Sequence, residues 1–412
     1  MSQATYTEFT RGVHGRVTER VPLSVTLEVT HRCPLTCAHC YNNLPMADRE
    51  AAESELTLDE YRRVLDELQQ MGTFWLLFSG GEPFARKDFL EIYTCAKQKG
   101  FLITIFTNGT ILTPAIADYL AEWPPFSIEI TLYGHTRETY EALTGQPGSF
   151  DRCRRGVNLL LERNLPLKLK TVPTSINKHE VRDMQQFAEE LGCEFKYDAL
   201  VNPRTDCSQS PLSVRLRAEE VVALEFGEPK RRSEYRRLLD ADLAQGPPPP
   251  SDDLYFCGGG ITSCAVDPYG NMSICVISHQ DHYNIRQGSF TAGWNQGLLS
   301  IRQKQRRGLT KCTTCQIQSL CGMCPANGEL ESGNPESPVE FLCEVAHLRA
   351  MAVGSEVPVH GDCEFCRTGS RYASLLEARD NLSSIEQAMY TPPAVTLPVL
   401  NQAGSGCHGR CH

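Results

Sequence analysis

Six strand-like segments alternate with helical patterns between residues 20 and 200, and this alternation constrains the fold more than any other feature. The segments begin at Leu23, Phe74, Phe101, Phe126, Leu167 and Glu194. A capping box of Thr57 and Glu60 introduces the first helical pattern. Strands that alternate with helices form parallel βα units. Six units without a clear seventh and eighth predict an α/β fold, an open, partial (β/α)6 barrel.

Three cysteines follow the first predicted strand within eight residues. The segment THRCPLTCAHCYNNLP places Cys33, Cys37 and Cys40 in the spacing C-x3-C-x2-C. In βα barrels the carboxyl ends of the strands carry the chemistry, so these thiols lie where we expect an active site. Taken alone, they could also be ordinary buried thiols, part of a disulfide framework, or a zinc site with its fourth ligand elsewhere.

The composition favours metal ligation over disulfides. The N-terminus lacks the apolar segment of a signal peptide, and no stretch reaches the roughly 18 apolar residues of a membrane span. We therefore expect a cytoplasmic protein with no membrane partner, whose thiols stay reduced. Nineteen cysteines under such conditions indicate metal or cluster ligation. The net charge of −10 gives no support to nucleic-acid binding, so no nucleic-acid partner is expected.

A second cysteine-rich region follows after the βα pattern ends near residue 200. A charged helical stretch comes first, and the segment QGPPPPSDD then reads as a stiff, extended linker. Residues 254–343 contain short strand and turn patterns and closely spaced thiols. The spaced cysteines of this region are Cys257, Cys264, Cys275, Cys312, Cys315, Cys321, Cys324 and Cys343.

The C-x3-C-x2-C motif after a first βα-barrel strand strongly resembles that of radical S-adenosylmethionine (SAM) enzymes. A second match is SGGEP, Ser79 to Pro83, which follows the second strand, where the family carries its GGEP motif. The resemblance implies that Cys33, Cys37 and Cys40 are the catalytic ligands of a 4Fe–4S cluster with one open iron, which binds SAM. It further implies that electron transfer cleaves SAM to a 5′-deoxyadenosyl radical, which abstracts hydrogen from the substrate.

The same resemblance assigns residues that contact SAM. The GGEP segment binds the SAM amino group in the family, and an aromatic residue often stands near the adenine. The matching and candidate contacts here are Tyr41, Gly80, Gly81, Glu82, Thr107, Asn108 and Thr131. The last three lie at later strand ends, where polar residues are also common as helix caps.

The second cysteine-rich region resembles the SPASM domain of radical SAM enzymes, which holds two auxiliary 4Fe–4S clusters. By this resemblance one cluster uses Cys257, Cys264, Cys275 and Cys324, and the other uses Cys312, Cys315, Cys321 and Cys343. The implied cofactors are three 4Fe–4S clusters and SAM. The family more often has three residues before the last cysteine of the quartet, whereas this chain has two. A double zinc ribbon is the alternative, because four-cysteine geometry also suits zinc.

These features predict five segments along the chain. They are an N-terminal segment 1–20, a radical SAM partial barrel 21–225, a helical segment with a Pro-rich linker 226–253, a small α+β SPASM domain 254–345 and a C-terminal extension 346–412. The extension carries four thiols that the family does not explain: Cys363, Cys366, Cys407 and Cys411. Three interpretations stay open: a flexible terminus with adventitious thiols, a substrate-like segment, or a soft-metal or metalloid site.

The expected function follows from the family. SPASM-type radical SAM enzymes mostly modify peptides or proteins by a crosslink, a thioether or a side-chain oxidation, with an external electron donor such as flavodoxin or ferredoxin. In sulfatase-maturating relatives an Asp follows the second cysteine of the first SPASM pair; Val276 stands there in this chain, which weakens a formylglycine-forming role. One alternative is a radical SAM enzyme acting on a small molecule or metalloid bound by the C-terminal thiols. Another is a non-catalytic Fe–S or zinc protein.

Overall fold

The computed structural model describes residues 19–249, 251–278 and 280–390. Among these residues the chain forms two compact units, which are described separately. The first unit contains residues up to 171 together with 184–196 and 255–304. The second contains residues 172–183, 197–254 and those from 305 onwards. The two units are defined by the contacts between their residues. The five functional segments predicted from the sequence stay predictions.

A nine-stranded mixed sheet is the core of the first unit. The strands of the protein are β1 (Ser24–Thr30), β2 (Arg32–Cys33), β3 (Leu44–Pro45), β4 (Trp75–Gly80), β5 (Leu102–Thr107), β6 (Ser127–Thr131), β7 (Leu167–Thr171), β8 (Glu194–Tyr197), β9 (Ser263–Val266), β10 (Asn271–Ser273) and β11 (Tyr283–Asn284). Their order in the large sheet is β11-β10-β9-β1-β4-β5-β6-β7-β8, and β2 pairs with β3 separately. The pairs from β1 through β4, β5 and β6 to β7 are all parallel.

All six predicted strands are confirmed, as β1, β4, β5, β6, β7 and β8. The strand order leaves β8 and β11 at the two edges of the sheet, in agreement with the predicted open arrangement. The sequence did not predict that β9 would extend this sheet by pairing in parallel with β1. The β10 strand then runs antiparallel to β9.

The helices occupy most of the connections between the strands. They are α1 (Arg49–Ser54), α2 (Leu58–Met71), α3 (Phe89–Gln98), α4 (Pro114–Glu122), α5 (Arg137–Thr144), α6 (Ser149–Leu161), α7 (Val181–Glu190), α8 (Ala218–Phe226), α9 (Pro229–Gln245), α10 (Phe290–Ala292), α11 (Leu299–Arg302), α12 (Pro325–Ser332), α13 (Glu340–Ala352), α14 (Tyr372–Asp380) and α15 (Leu382–Met389). None of the helices in the described part of the chain has both the length and the apolar character needed to cross a bilayer.

The α2 helix shows how local sequence sets these elements. Its predicted capping box is present: the Glu60 N–H donates to the Thr57 hydroxyl, and the Thr57 N–H donates to the Glu60 carboxylate. The helix ends at Gly72, whose φ of +81° is the left-handed conformation that glycine tolerates. Its core face repeats every three or four residues, and the buried residues are Tyr61, Val64, Leu65 and Leu68.

The second unit is mainly helical. The charged stretch predicted as helical forms two helices, because Pro229 cannot continue α8 and instead occupies the first turn of α9. The α8 helix packs against both α13 and α15. Between α8 and α13 the guanidinium of Arg349 donates two hydrogen bonds, of 2.8 and 2.6 Å, to the buried carboxylate of Glu225. The charge of each residue is thus satisfied within the core.

Candidate active site

Three thiols converge at the carboxyl end of β1. Cys33 is buried, whereas Cys37 and Cys40 are half-buried. Burial, followed by the nearby Glu82, raises the pKa of Cys33, and burial together with Cys40 and Cys33 raises the pKa of Cys37. The three sulfurs are therefore close enough to influence one another. Three thiols this close together are a donor set that fits a cluster with one open position.

The backbone of the loop is anchored to α5. The Thr36 N–H donates to the Thr144 carbonyl at 2.9 Å, and the Ala38 N–H donates to the Leu143 carbonyl at 3.1 Å. A further turn is closed where the Cys40 N–H donates to the Cys37 carbonyl at 3.1 Å. These bonds satisfy the polar groups of an irregular segment and hold the thiols in fixed positions.

Glu28, in the middle of β1, organises the residues that follow the third cysteine. Its buried carboxylate accepts the Tyr41 hydroxyl at 3.0 Å and the Asn42 amide at 2.7 Å. His31 Nε2 lies 3.4 Å from the other carboxylate oxygen. Glu28 was not predicted as a site residue; its signal was a single charge within an otherwise uncharged strand. Tyr41 lies in this network, and its predicted contact with adenine stays a prediction.

The two glycines of the GGEP segment let the end of β4 meet the cysteine loop. The Gly81 N–H donates to the Thr30 carbonyl at 2.7 Å. A Cβ atom on Gly80, which has a φ of +125°, would lie 2.1 Å from the Thr30 carbonyl oxygen. A Cβ atom on Gly81 would lie 2.4 Å from the carbonyl oxygen of His31. Only glycine fits at these positions, because protein backbone already occupies the space.

Glu82 joins the ends of β4 and β5. Its fully buried carboxylate accepts the Thr107 hydroxyl at 2.8 Å, the Asn108 N–H at 2.8 Å and the Phe84 N–H at 3.3 Å. Burial raises the pKa of Glu82 to about 7, although these hydrogen bonds favour the charged form. The Asn108 side-chain amide in turn lies 3.5 Å from Cys33 Sγ. The predicted SAM-contact residues and the cluster thiols are thus linked directly.

The remaining predicted contact is at the same edge of the sheet. Thr131 ends β6, next to Thr107 at the end of β5 and Gly80 at the end of β4. The carboxyl ends of parallel strands form one edge, which is where ligands bind in α/β folds. The structure therefore gathers these residues, while their contact with SAM stays a prediction.

A charged group that the sequence analysis missed lies across β5 to β8. Glu129 binds Lys196 at 2.9 Å and Lys170 at 3.3 Å. The Lys170 ammonium also lies 2.8 Å from the centroid of the Phe106 ring, a cation–π contact. Burial lowers the pKa of Lys170 to about 7, opposed by Glu129. A buried lysine with a lowered pKa is a candidate for binding or proton transfer.

The predicted auxiliary ligands divide between the two units. The first unit holds three of the eight: Cys264 is buried on β9, Cys275 is half-buried and Cys257 is exposed. The second unit holds the other five: Cys312, Cys315, Cys321, Cys324 and Cys343. Burial raises the pKa of Cys321, with smaller contributions from its neighbours Cys312 and Cys315. The assignment of these thiols to clusters stays a prediction.

The structure describes two of the four thiols of the C-terminal extension. Cys363 and Cys366 are buried in the second unit, close to His347 and His360, which the sequence analysis did not single out. Cys407 and Cys411 lie outside the described residues. The signal that could have found the two histidines is their proximity in sequence to the C-x2-C pair.

Comparisons with known proteins agree with this geometry. The Radical SAM superfamily matches residues 27–191. The chain is 25% identical over 331 residues, 76% of its length and 94% of the relative's, to the AdoMet-dependent heme synthase of Methanosarcina barkeri. It is 28% identical over 316 residues, 74% of its length and 78% of the relative's, to the mycofactocin maturase MftC of Mycobacterium tuberculosis.

A solved structure shares the fold. The Streptococcus suis protein SuiB bound to S-adenosylmethionine superposes with a TM-score of 0.61 and 15% identity, over 83% of this chain and 82% of SuiB. The same protein has also been solved bound to its precursor peptide SuiA. The matched residues contain the three-thiol loop, the GGEP turn and the strand ends described above. Residues 27–191 therefore form the radical SAM domain of an enzyme whose cofactors are SAM and a 4Fe–4S cluster.

Proposed function

We propose that this chain modifies a peptide or protein by SAM-dependent hydrogen abstraction. The observation that carries the proposal is the direct link between the three-thiol loop and the GGEP turn, through Gly81, Glu82 and Asn108. The class of substrate rests on relatives. MftC is named as a maturase of mycofactocin, and SuiB binds a precursor peptide.

Each group at the strand ends has a defined part in this proposal. Cys33, Cys37 and Cys40 hold the cluster, which when bound supplies the electron that cleaves SAM. Glu82 holds the strand ends β4 and β5 together, so the edge that receives SAM is rigid before binding. The half-buried loop around the thiols limits the access of water, which protects a reactive intermediate from side reactions.

The charged group on β5 to β8 is the proposed lining of the part of the site that contacts the substrate. Glu129, Lys170 and Lys196 offer both signs of charge on neighbouring strands, which suits the backbone and side-chain polarity of a peptide. Lys170 is well buried, so its interactions with a bound group are weakly screened.

Two auxiliary 4Fe–4S clusters in a SPASM domain complete the proposed enzyme. Their support is the ligand spacing and the mutual proximity of Cys312, Cys315 and Cys321 in the second unit. A flavodoxin or ferredoxin is the proposed electron donor. The reducing cytoplasm suits a chain with nineteen cysteines, and the net charge of −10 favours neither nucleic acid nor an anionic membrane surface.

A small-molecule substrate is the second candidate function. The relative reported above with the greatest coverage is a heme synthase, which this chain matches over 94% of the relative's length. The reactive edge of the barrel is the same in both proposals, so the substrate must be identified by experiment rather than from the SAM site.

The first part of the test measures SAM cleavage. The anaerobically reconstituted chain, with SAM and a chemical reductant, should form 5′-deoxyadenosine and carry about twelve irons, four for each cluster. Replacing Cys33, Cys37 and Cys40 with Ala together should abolish cleavage and remove one third of the iron. Replacing Cys95 and Cys193, half-buried thiols outside every predicted ligand set, is the matched control and should change neither.

The second part identifies the substrate class. The chain is co-expressed with short Cys-rich open reading frames encoded beside its own gene, and the encoded peptides are examined by mass spectrometry. A mass change that depends on Cys33, Cys37 and Cys40 supports peptide modification. Unmodified peptides, together with SAM-dependent conversion of a heme precursor by the purified chain, would establish the second candidate instead.

A further inference from the structure

An irregular segment between α13 and α14 is unusually well buried. Residues 353–371 contain turns but no helix or strand, yet Cys363, Phe365 and Cys366 are at most 5% exposed. His360, in the same segment, is also buried. Short segments without regular structure rarely hold such a core by apolar contacts alone and commonly need a disulfide or a metal.

Four potential ligands meet in this core. His347, on α13, and His360, Cys363 and Cys366, in the irregular segment, are all buried, and their ligand atoms lie within 4.8 Å of one another. Cys363 Sγ lies 3.5 Å and Cys366 Sγ lies 3.7 Å from His347 Nε2. Cys366 Sγ lies 3.4 Å from His360 Nδ1, whose N–H donates to the Pro358 carbonyl at 2.9 Å, so Nε2 is the ring nitrogen of His360 with an available lone pair.

These distances are those of ligands around one tetrahedral ion. Zinc binds sulfur at about 2.3 Å and nitrogen at about 2.1 Å, so a tetrahedral angle places the two ligand atoms about 3.6 Å apart. The two distances from His347 Nε2 to the thiol sulfurs, 3.5 and 3.7 Å, match this value. Thiolates on different irons of a four-iron cluster must stand further apart, because the cluster itself separates them.

The backbone of the irregular segment presents its ligands on one side. The N–H groups of Cys363, Cys366 and Gly369 donate in turn to the carbonyls of His360, Cys363 and Cys366. Bonds between residues three apart place their side chains above one another, as in a 3₁₀ turn. The last turn requires glycine, because a Cβ atom on Gly369 would lie 2.2 Å from the Glu364 carbonyl oxygen.

His347 is already oriented for ligation. Its Nδ1–H donates to the carbonyl of Cys343, one helical turn earlier, at 2.7 Å. This hydrogen bond fixes the tautomer whose Nε2 has a free lone pair, and Nε2 is the atom that faces both thiols. Metal-bound histidines in proteins typically make such a bond with their other ring nitrogen.

We propose that His347, His360, Cys363 and Cys366 bind one zinc ion. Two thiolates and two imidazoles in a tetrahedral arrangement favour zinc among the common divalent metals. The ion fastens residues 353–371 to α13 and is structural, because all four positions are filled by protein. The four ligands are not among those of the proposed auxiliary clusters, although two proposed cluster ligands adjoin them: Cys343 contacts Cys363, and Cys315 contacts His360.

The test measures the metals of the full-length, anaerobically purified holoenzyme from zinc-supplemented medium. Elemental analysis should find about one zinc per chain, and X-ray absorption at the zinc edge should show two sulfur and two nitrogen ligands. This measurement needs no variant, so a folding failure cannot obscure it. Zinc absent from the wild type, or zinc surrounded by four sulfurs, overturns the proposal.

Variants then assign the ligands. Replacing Cys363 and Cys366 together with Ser should remove the zinc while the iron content stays at the wild-type level. The matched control replaces Cys95 and Cys193 with Ser and should keep both metals. Loss of about four irons from the Cys363/Cys366 variant, with zinc retained, would instead make these thiols cluster ligands and overturn the assignment.

Discussion

At the scale of the residue, Gly81 decides whether the cysteine loop and the end of β4 can meet. Its hydrogen-bonded N–H and its missing side chain both face the backbone of residues 30–32. The family resemblance assigns this residue to SAM binding, and the structure adds a role within the protein itself. A substitution here changes the position of Cys33 before any ligand is bound.

We therefore predict that Gly81→Ala disrupts the first cluster as well as SAM binding. The added Cβ would lie 2.4 to 2.7 Å from backbone atoms of His31 and Arg32, which cannot move as a flexible side chain could. Overpacking of this kind costs about 1–3 kcal/mol. Iron analysis and 5′-deoxyadenosine formation should both fall. Gly308→Ala, where no atom lies within 4 Å, is the control. Wild-type iron content in Gly81→Ala would contradict this role.

The sequence predicted which residues form the site better than it predicted their partners. Cys33, Glu82 and Asn108 were named from motifs and strand ends, and the structure brings them together. The bonds of Glu28 to Tyr41 and of Glu82 to Thr107 could not be predicted, because they depend on how separate strands and loops pack. Such long-range contacts leave no periodic signal in a single sequence.

At the scale of the element, the strands were predicted where apolar runs and helix signals alternate regularly. The β9 strand was missed because it has four residues and pairs with β1, which precedes it by more than 230 residues. The charged helical stretch was predicted correctly as helix, but its division at Pro229 was not. Local patterns thus identified long elements, while short ones depended on distant partners.

Strands β6 and β7 place Lys170 where its charge opposes folding, and this makes stability depend on pH. Its pKa is about 7 in the folded chain, against about 10.4 for an unperturbed lysine. Between these values the unfolded chain holds a proton that the folded chain has released, so stability rises with pH. We predict that the free energy of unfolding of the wild type, relative to Lys170→Met, increases by about 2 kcal/mol from pH 7 to 9.

Denaturant unfolding of the anaerobic protein at pH 7, 8 and 9 measures this difference. Lys168→Met is the control, since it removes a positive charge from a more exposed position on the same strand. A difference that stays flat or decreases over this range would mean that Lys170 keeps its proton, held by Glu129.

At the scale of the whole molecule, the described part of the C-terminal extension, residues 346–390, is built from helices and a buried irregular segment. Residues up to 390 belong to the second unit, where α15 packs against α8 and α14 packs against α13. The sequence predicted neither of these last helices, because the polar extension shows weak periodicity. Cys363 and Cys366 are therefore part of the core of this unit, whereas Cys407 and Cys411 lie outside the described residues.

Two truncations separate the roles of these thiols. A chain ending at Tyr390 keeps every described helix and the proposed zinc site, so we predict wild-type iron, zinc and 5′-deoxyadenosine formation. We also predict that it loses modified product, on the hypothesis that Cys407 and Cys411 act on the substrate. A chain ending at Ser355 also loses α14, α15 and three zinc ligands, and its second unit should be destabilised because the face of α8 that contacts α15 becomes exposed.

Metal analysis, thermal unfolding and mass spectrometry of the peptide product measure these outcomes. Full product formation by the chain ending at Tyr390 would remove Cys407 and Cys411 from the reaction, and loss of iron from that chain would make them cluster ligands.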